Sequence, residues 1–433
     1  MKHTKIGLVG LGTVGTGVAR ILLENRARIS RACGQDVQLA RIADVDITRE
    51  RNLNLPEGIL TTNYEEILND PEISVVVQLI GGLDVERKIM LQMLEAGKNI
   101  VTANKALIAT CGKEIFDTAR KCKCSVAFEA AVGGGIPIIA AISESLAANE
   151  ICSIEAILNG TCNFILSSME KTGGDYSTTL SQAQKLGYAE ANPAMDVEGK
   201  DATQKICILS QIAFGADLDW THVSRQGVES VRGEDFQYAK SQGYTIRLIA
   251  SAKRVLENSL EVCVGPCWVR QGTQLAEVDG AFNGVSVVGD AVGHLFFYGQ
   301  GAGEMPTASA VVADIIDTIC GRTAITFNTL NLWNDETCGK ISFASPDNIK
   351  GEFYLRLVPK NAESQEEIIR ILEENEVLVA VTLPNLAGGT VPENPAFAIL
   401  TNETSEGTLC SVLNSLEQKN LLQQKPVKMR VLR

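Results

Sequence analysis

The chain has 433 residues, a formal net charge of −13, 45% hydrophobic and 21% charged residues. That length implies two or three domains with enough apolar material for a large core. The acidic surplus disfavours a nucleic-acid backbone as partner, because phosphates are held by basic faces. No long uncharged apolar run offers a membrane span, and the start Met1–Lys5 leads straight into an apolar strand without the apolar core of a signal peptide, which predicts a cytoplasmic protein. The twelve cysteines show no metal spacing: Cys122-Lys123-Cys124 is too tight, and His3, His222 and His294 accompany no pair. They read as reduced thiols used as small core residues.

Ile6 to Val9 reads as a buried parallel strand. Gly10, Gly12 and Gly15 follow in G-x-G-x-x-G spacing with Thr13 and Val14 between them, and Val18, Ile21, Leu22 and Leu23 continue at helical spacing. In such a strand–turn–helix the first glycine permits the turn, the second lets the backbone approach a pyrophosphate, and the third lets helix pack on strand. The helix N-terminus then presents free N–H groups to phosphate. A second strand, residues 37–43, ends at Asp44, which suits the ribose 2′-hydroxyl of NAD. Asp44 lies beyond the usual gap of about 20 residues after the fingerprint, so a long first helix is expected. Arg41 and Arg49 suit the 2′-phosphate of NADP instead, and the choice between NAD and NADP stays open.

Residues 73–80 form a third strand ending at Gly81 and Gly82, which would border the nicotinamide at the carboxyl edge of the sheet. A helix over residues 85–96, a strand over 99–102 ending in Ala103-Asn104-Lys105, another helix, and a strand over 125–128 ending in Glu129 to Gly135 complete the alternation of a parallel, doubly wound sheet. From Ile136 onward helical patterns dominate: residues 138–146 read as a helix, and the strand 151–158 ends in the turn-rich Asn159-Gly160-Thr161-Cys162-Asn163. The stretch Ala183 to Lys205, AQKLGYAEANPAMDVEGKDATQK, gathers Glu190, Asp196, Glu198, Asp201, Lys200 and Lys205 around Gly187, Pro193 and Gly199. Asp201 and Lys205 are four apart and share one helix face. A second glycine cluster, Gly299 to Gly303, precedes an apolar helix over residues 309–319. In the tail, strands over 352–358, 377–383, 397–401 and 427–432 alternate with helices over 364–372 (with Ser364 as cap) and 405–418, in ferredoxin-like β-α-β-β-α-β order.

Ala183, Gly187, Tyr188, Ala189, Asn192-Pro193, Asp196, Val197, Gly199, Asp201 and Lys205 together resemble the signature of the homoserine dehydrogenase family. The glycine fingerprint, Thr102 to Lys105, Glu129 to Pro137 and Asn159 to Thr161 resemble the same family in the same order, over roughly residues 5–320. The resemblance implies a Rossmann-like dinucleotide-binding domain over residues 1–135, an α+β catalytic and dimerisation domain over 136–325, and a ferredoxin-like ACT domain over 345–433. It implies reversible reduction of L-aspartate 4-semialdehyde to L-homoserine with NAD(P)(H), in the branch that leads to threonine, methionine and isoleucine.

By the same resemblance Lys205 is the proton donor, Lys105 a second active-site lysine touching cofactor and substrate, and Asp201 their orienting partner. Glu190 would bind the substrate's amino group, with Asp196, Gly160 and Thr161 beside it. Gly10, Gly12, Thr13, Val14, Gly15, Asp44, Gly81, Lys105, Gly301 and Gly303 would hold the cofactor. Glu129, Val132, Gly134 and Ile136 would bind a monovalent cation, Na+ or K+, through oxygen atoms. The family implies a homodimer or homotetramer, and threonine as effector of the ACT domain. One departure is that Pro359 to Glu363 lacks the Asp-x-Pro-Gly turn that bends round an effector. Two rival readings are a nucleotide- and amino-acid-binding sensor without turnover, and a dehydrogenase with Cys162 as nucleophile, for which no nearby histidine motif provides a base.

Overall fold

The computed structural model describes residues 3–334, 341–383 and 397–433. Of these, residues 3–152, 204–222, 287–334 and 341 belong to one compact unit, and residues 153–203, 223–286, 342–383 and 397–433 to a second.

The first unit contains the expected doubly wound sheet. Strands β1 (His3–Val9), β2 (Asp36–Ala43), β3 (Leu60–Thr61), β4 (Ile73–Gln78), β5 (Asn99–Thr102) and β6 (Val126–Ala127) are all parallel, in the order β3-β2-β1-β4-β5-β6. The order reverses between β1 and β4, so the carboxyl ends of those strands flank the crevice where such sheets take ligands. Ile6, Leu8, Val75, Val77 and Val101 from the strands pack with Val18 and Ile21 from the first helix into one core. The helix Glu304–Cys320 returns to this core with Val311 and Ile315. A Cβ on Gly17 would come within 2.9 Å of the Ala308 Cβ, and Arg20 meets Glu304 Oε1 at 2.5 Å.

Two local expectations change. The long first helix is two helices, Thr13–Glu24 and Arg26–Cys33, broken at Asn25 (φ −109°, ψ 19°); the second stops at Gly34 in the left-handed region. Two helices, not one, carry the chain the extra distance to Asp44. The helix expected over residues 138–146 is α-helical only over Ile138–Ala140 and then winds as a π-turn over Ala141–Ser145, a wider winding that is rare outside functional segments.

The second unit is built on a mixed sheet. Strands β7 (Ile151–Ile157), β9 (Tyr244–Leu256) and β10 (Ser259–Arg270) pair antiparallel in turn, and the short β8 (Ser224–Arg225) and β13 (Ser342–Phe343) add to β10 in parallel. Strands β11 (Phe282–Gly289) and β12 (Gly293–Gln300) lead the chain back to the first unit. The tail forms β14 (Lys350–Leu357), the helix Ala362–Glu374, β15 (Val379–Leu383), β16 (Phe397–Thr401), the two-residue β17 (Thr404–Ser405), the helix Glu406–Gln418 and β18 (Val427–Leu432). Its main strands stand in the order β18-β14-β16-β15, the expected ferredoxin-like fold. Asn361, not Ser364, caps the first of its helices, accepting a hydrogen bond from the Ser364 N–H at 2.8 Å.

The tail shares its sheet with the rest of the unit. β18 pairs antiparallel with β14 on one side and parallel with β10 on the other, through Cys267↔Arg430, Trp268↔Val431 and Val269↔Leu432. Along β14, Phe353, Leu355 and Leu357 enter the tail's own core with Ile368, Leu372, Leu409 and Val412. The alternate residues Tyr354 and Arg356 are also buried, on the opposite face. There Tyr354 stacks on Trp268 at 4.5 Å, and Arg356 Nε donates to Asp235 Oδ1 at 2.8 Å. Asp235 and the Arg356 side chain are 0% and 1% exposed. Breaking such a pair from one side costs about 3–5 kcal/mol.

Candidate active site

The glycine fingerprint folds as its spacing demands. Gly10 has φ +100°, a conformation L side chains avoid, and a Cβ on Gly15 would lie 2.0 Å from the Gly10 carbonyl oxygen. A Cβ on Gly12 would meet nothing within 4 Å, so open space lies above the backbone at the helix N-terminus, where Thr13 and Val14 begin the first turn. The cradle therefore has the room and the free N–H groups that a pyrophosphate requires. Asp44 follows β2 and accepts from the Leu11 N–H inside the glycine turn. Its second oxygen accepts from the Asp46 N–H at 2.8 Å and from Arg51 Nη2 at 3.3 Å.

Arg51 is the basic residue that sequence reasoning missed. Its Nε donates to the Leu11 carbonyl at 2.8 Å, and its side chain is only 7% exposed. Arg41 instead turns to the Gly58 carbonyl and to Glu66, and Arg49 stays exposed. Nothing in the local pattern separated three arginines between positions 41 and 51; only the loop's path did.

At the carboxyl ends of β4 and β5, Asn104 ties the strands together. Its Nδ2 donates to the Gly82 carbonyl at 2.9 Å and its Oδ1 caps the next helix at the Leu107 N–H at 3.0 Å. Thr102 donates its hydroxyl proton to the Gln78 carbonyl at 3.0 Å. Lys105 is thereby held half-buried at the first position of the helix Lys105–Cys122, next to the Asn104 that bonds Gly82.

The loop after β6 is organised by two buried acids. Glu129 accepts from the N–H groups of Ile139 and Ala140 at 2.9 and 2.8 Å, capping the short helix, while its own N–H donates to Asp314 at 2.9 Å. Burial pushes the Glu129 carboxyl up to about 7 and raises Asp314 well above the usual carboxylate range. Gly133 and Gly134 bend the loop at φ +76° and +58°, and a Cβ on Gly134 would strike Gly301 at 2.5 Å. The Gly135 N–H donates to the Gln300 carbonyl at 3.0 Å, and Gly303, at φ +118°, starts the returning helix. Among the described residues no group of three or more His, Cys, Asp or Glu side chains is placed to hold a metal.

The signature segment converges on one amide. Asn159 Nδ2 donates to Asp196 Oδ1 at 2.7 Å and to Asp201 Oδ2 at 2.9 Å, and its Oδ1 accepts from the Cys162 N–H at 2.8 Å. Asn159 is thus the cap of the helix Gly160–Thr172, so the stretch expected as a turn is a helix N-terminus. A Cβ on Gly160 would come 2.6 Å from the Ala281 carbonyl, which leaves glycine as the fit. Thr161 donates to the Tyr188 carbonyl at 2.6 Å, and Tyr188 packs on Phe164 at 4.7 Å. Glu190 stands exposed at the end of this loop, its carbonyl accepting from Gln184 at 3.1 Å. Gly199 turns the chain at φ +76° into the helix Lys200–Phe214, on which Asp201 is buried and Lys205, one turn on, half-buried. The Cys162 thiol is fully buried against the Asp196 carbonyl at 3.2 Å, with no histidine near in sequence, which removes it as an exposed nucleophile.

Two family models match the chain: "Homoserine dehydrogenase, NAD binding domain" over residues 10–129 and "Homoserine dehydrogenase" over residues 137–316. The homoserine dehydrogenase of Neisseria gonorrhoeae is 38% identical over 433 residues, covering 99% of this chain and 98% of that protein. The crystal structure of a homoserine dehydrogenase from Thiobacillus denitrificans superposes with a TM-score of 0.91 at 38% identity, covering 100% of this chain and 99% of the other.

The chain belongs to the homoserine dehydrogenase family.

It is an NAD(P)-dependent oxidoreductase that interconverts L-aspartate 4-semialdehyde and L-homoserine, and a sensor without turnover is not supported. A more distant relative, a hyperthermophilic archaeal homoserine dehydrogenase in complex with NADPH, superposes with a TM-score of 0.61 at 25% identity, covering 73% of this chain and 98% of the other. No helix among the described residues is long and apolar enough to cross a membrane.

Within this homoserine dehydrogenase, Asn159 is the second residue that sequence reasoning left without a role. An asparagine before glycine reads as a turn; its hold on two carboxylates 37 and 42 residues away is a product of the fold. Asn159→Ala should raise the KM for homoserine about tenfold while leaving the KM for nucleotide unchanged, because the lost bonds are charge-assisted. Steady-state kinetics with each substrate varied checks this, and an unchanged homoserine KM would contradict it.

Proposed function

We propose that Lys205 donates the proton that quenches the alkoxide formed when aspartate semialdehyde is reduced, and reclaims it in the reverse direction. The observation that carries this is the pairing, on one helix face, of half-buried Lys205 with buried Asp201, whose carboxylate is fixed by Asn159. A lysine ammonium group can stabilise a developing oxyanion and give it a proton. A bound NAD(P)H supplies the hydride. Lys105, anchored by its Asn104 cap, adds a second cation toward substrate and cofactor. Glu190 takes the amino group of the substrate, Asp196 with Gly160 and Thr161 orients it, and Asp201 orients Lys205. Lys205→Ala should lower kcat by about a hundredfold or more while nucleotide still binds with parental affinity. Turnover at the parental rate would overturn the assignment.

The cofactor cradle comprises Gly10, Gly12, Thr13, Val14, Gly15, Asp44, Gly81, Lys105, Gly301 and Gly303. Asp44 is assigned to the ribose of NAD, and Arg51 beside it offers a cation for the phosphate of NADP; the archaeal relative's complex with NADPH supports use of NADP(H). Asp44→Ala should weaken NAD by about tenfold, the worth of a hydrogen bond to a charged group, and NADP less. Fluorescence titration with each nucleotide checks this, and equal losses would remove Asp44 from the ribose site.

The bent loop after β6 is assigned to a monovalent cation, Na+ or K+, held by the main-chain oxygens of Glu129, Val132, Gly134 and Ile136. The Glu129 carboxylate, already bound to two helix N–H groups, serves the loop and not the ion. Such a cation is structural, since proton and hydride transfer proceed without it. Residues 1–135 serve as the nucleotide domain, 136–325 as the catalytic and dimerisation domain, and 345–433 as an ACT-type module for threonine. The effector would bind without an Asp-x-Pro-Gly turn, because Lys360 and Gln423 close that corner by backbone bonds to Leu421 and Val358. The working form is a cytoplasmic homodimer or homotetramer.

A further inference from the structure

The segment that carries the signature loop is fastened to the tail by a buried ionic cluster whose charged members, Asp235 and Arg356, lie 121 residues apart in the chain, and each link is a direct contact within the second unit. The Val228 N–H donates to the Val197 carbonyl at 3.0 Å, next to Asp196. Gly227 lies so close beneath that a Cβ there would stand 2.6 Å from the same carbonyl oxygen, and Gly199 rests on the Arg225 stem, its Cβ position 3.4 Å from Arg225 Cγ. The Gln226 N–H fixes this strand to β10 through the Val264 carbonyl at 2.8 Å. Two residues past Val228, the Ser230 carbonyl accepts from Arg356 Nη2 at 2.8 Å. Arg356 Nε and the Tyr354 hydroxyl both donate to Asp235 Oδ1, at 2.8 and 2.6 Å, and Asp235 Oδ2 accepts from the Arg232 N–H at 2.8 Å. Arg356 and Tyr354 stand on β14, the first strand of the tail.

We infer that Arg356, by bridging the Ser230 carbonyl and the Asp235 carboxylate, is a positioning residue for the reaction: it sets the height of the 225–231 segment against Val197, and so the placement of Asp196 and the turn at Gly199. The bridge is dry, since Asp235 and the Arg356 side chain are 0% and 1% exposed, so water does not replace a lost contact and the segment must shift instead. The same bridge gives the tail a mechanical hold on the substrate loop, because any displacement of β14 moves the Ser230 carbonyl with it. This inference rests on the assignment of Asp196 to substrate.

The test uses the full-length enzyme with Arg356→Lys, which keeps the charge but cannot span both acceptors, and Asp235→Asn, which keeps the shape but not the charge. Asp196→Asn serves as reference. Circular dichroism and the melting transition establish that each variant is folded. Arg356→Lys and Asp235→Asn should raise the KM for homoserine about fivefold, with the KM for nucleotide held within about twofold. Parental homoserine KM in both variants, or parallel rises in both KM values, would overturn the inference. If Asp196→Asn itself leaves the homoserine KM unchanged, the substrate assignment fails instead; if it raises that KM while the other two do not, only the positioning role fails.

Discussion

Two carboxylates that share one amide donor form the constraint on which the signature segment depends. Asp196 and Asp201 arrive from either side of the turn at Gly199 and would repel each other in a buried setting. The Nδ2 group of Asn159 places a hydrogen on each, at 2.7 and 2.9 Å, and the same residue caps the helix Gly160–Thr172. One side chain thus ties three consequences together: a helix start, the path of the signature loop, and the aspartate one turn before Lys205. A donor pair aimed at two anions is stronger than neutral hydrogen bonds and fixes direction as well as distance.

The nucleotide half is governed by steric closeness rather than charge. Gly15 exists because the Gly10 carbonyl sits where a Cβ would go, Gly17 because Ala308 and Glu304 do, and Gly134 because Gly301 does. These three contacts weld the fingerprint helix, the returning helix and the bent loop after β6 into one body around the switch point of the sheet. Charge enters where Arg20 meets Glu304, at the buried acids Glu129 and Asp314, and where Asp44 and Arg51 share the mouth of the glycine turn.

Much of this was legible in the sequence, for identifiable reasons. The parallel doubly wound sheet was legible from strand–helix alternation at five of its six strands, since parallel strands buried on both faces leave continuous apolar runs such as Val75-Val76-Val77, whereas the two-residue β3 and the strand order were not. The ferredoxin-like tail was legible from alternation alone, with Phe397–Thr401 and Val427–Leu432 found at the expected residues. What escaped were contacts between distant residues and local choices of winding. The break at Asn25 and the π-turn at Ala141–Ser145 lie within ordinary helical patterns. Arg356 sits at an alternate position of β14 that reads as solvent-facing, yet it is buried because the helix Gly233–Ser241, carrying Asp235 and Tyr238, covers that face. Arg51 was one of three arginines, one at the end of β2 and two in a loop without periodicity, and Asn159 looked like turn chemistry until its partners arrived from the next segment of chain.

The central claim is that the Asn159–Asp196–Asp201 cluster orients homoserine so that its hydroxyl reaches Lys205. The most direct measurement is a crystal structure of the enzyme with homoserine and oxidised nucleotide bound. The account predicts the substrate hydroxyl within hydrogen-bonding distance of Lys205 Nζ, with its amino group at Glu190 and Asp196 and Asp201 still joined through Asn159. Homoserine bound elsewhere, with the Lys205 amine out of reach of its hydroxyl, would contradict it.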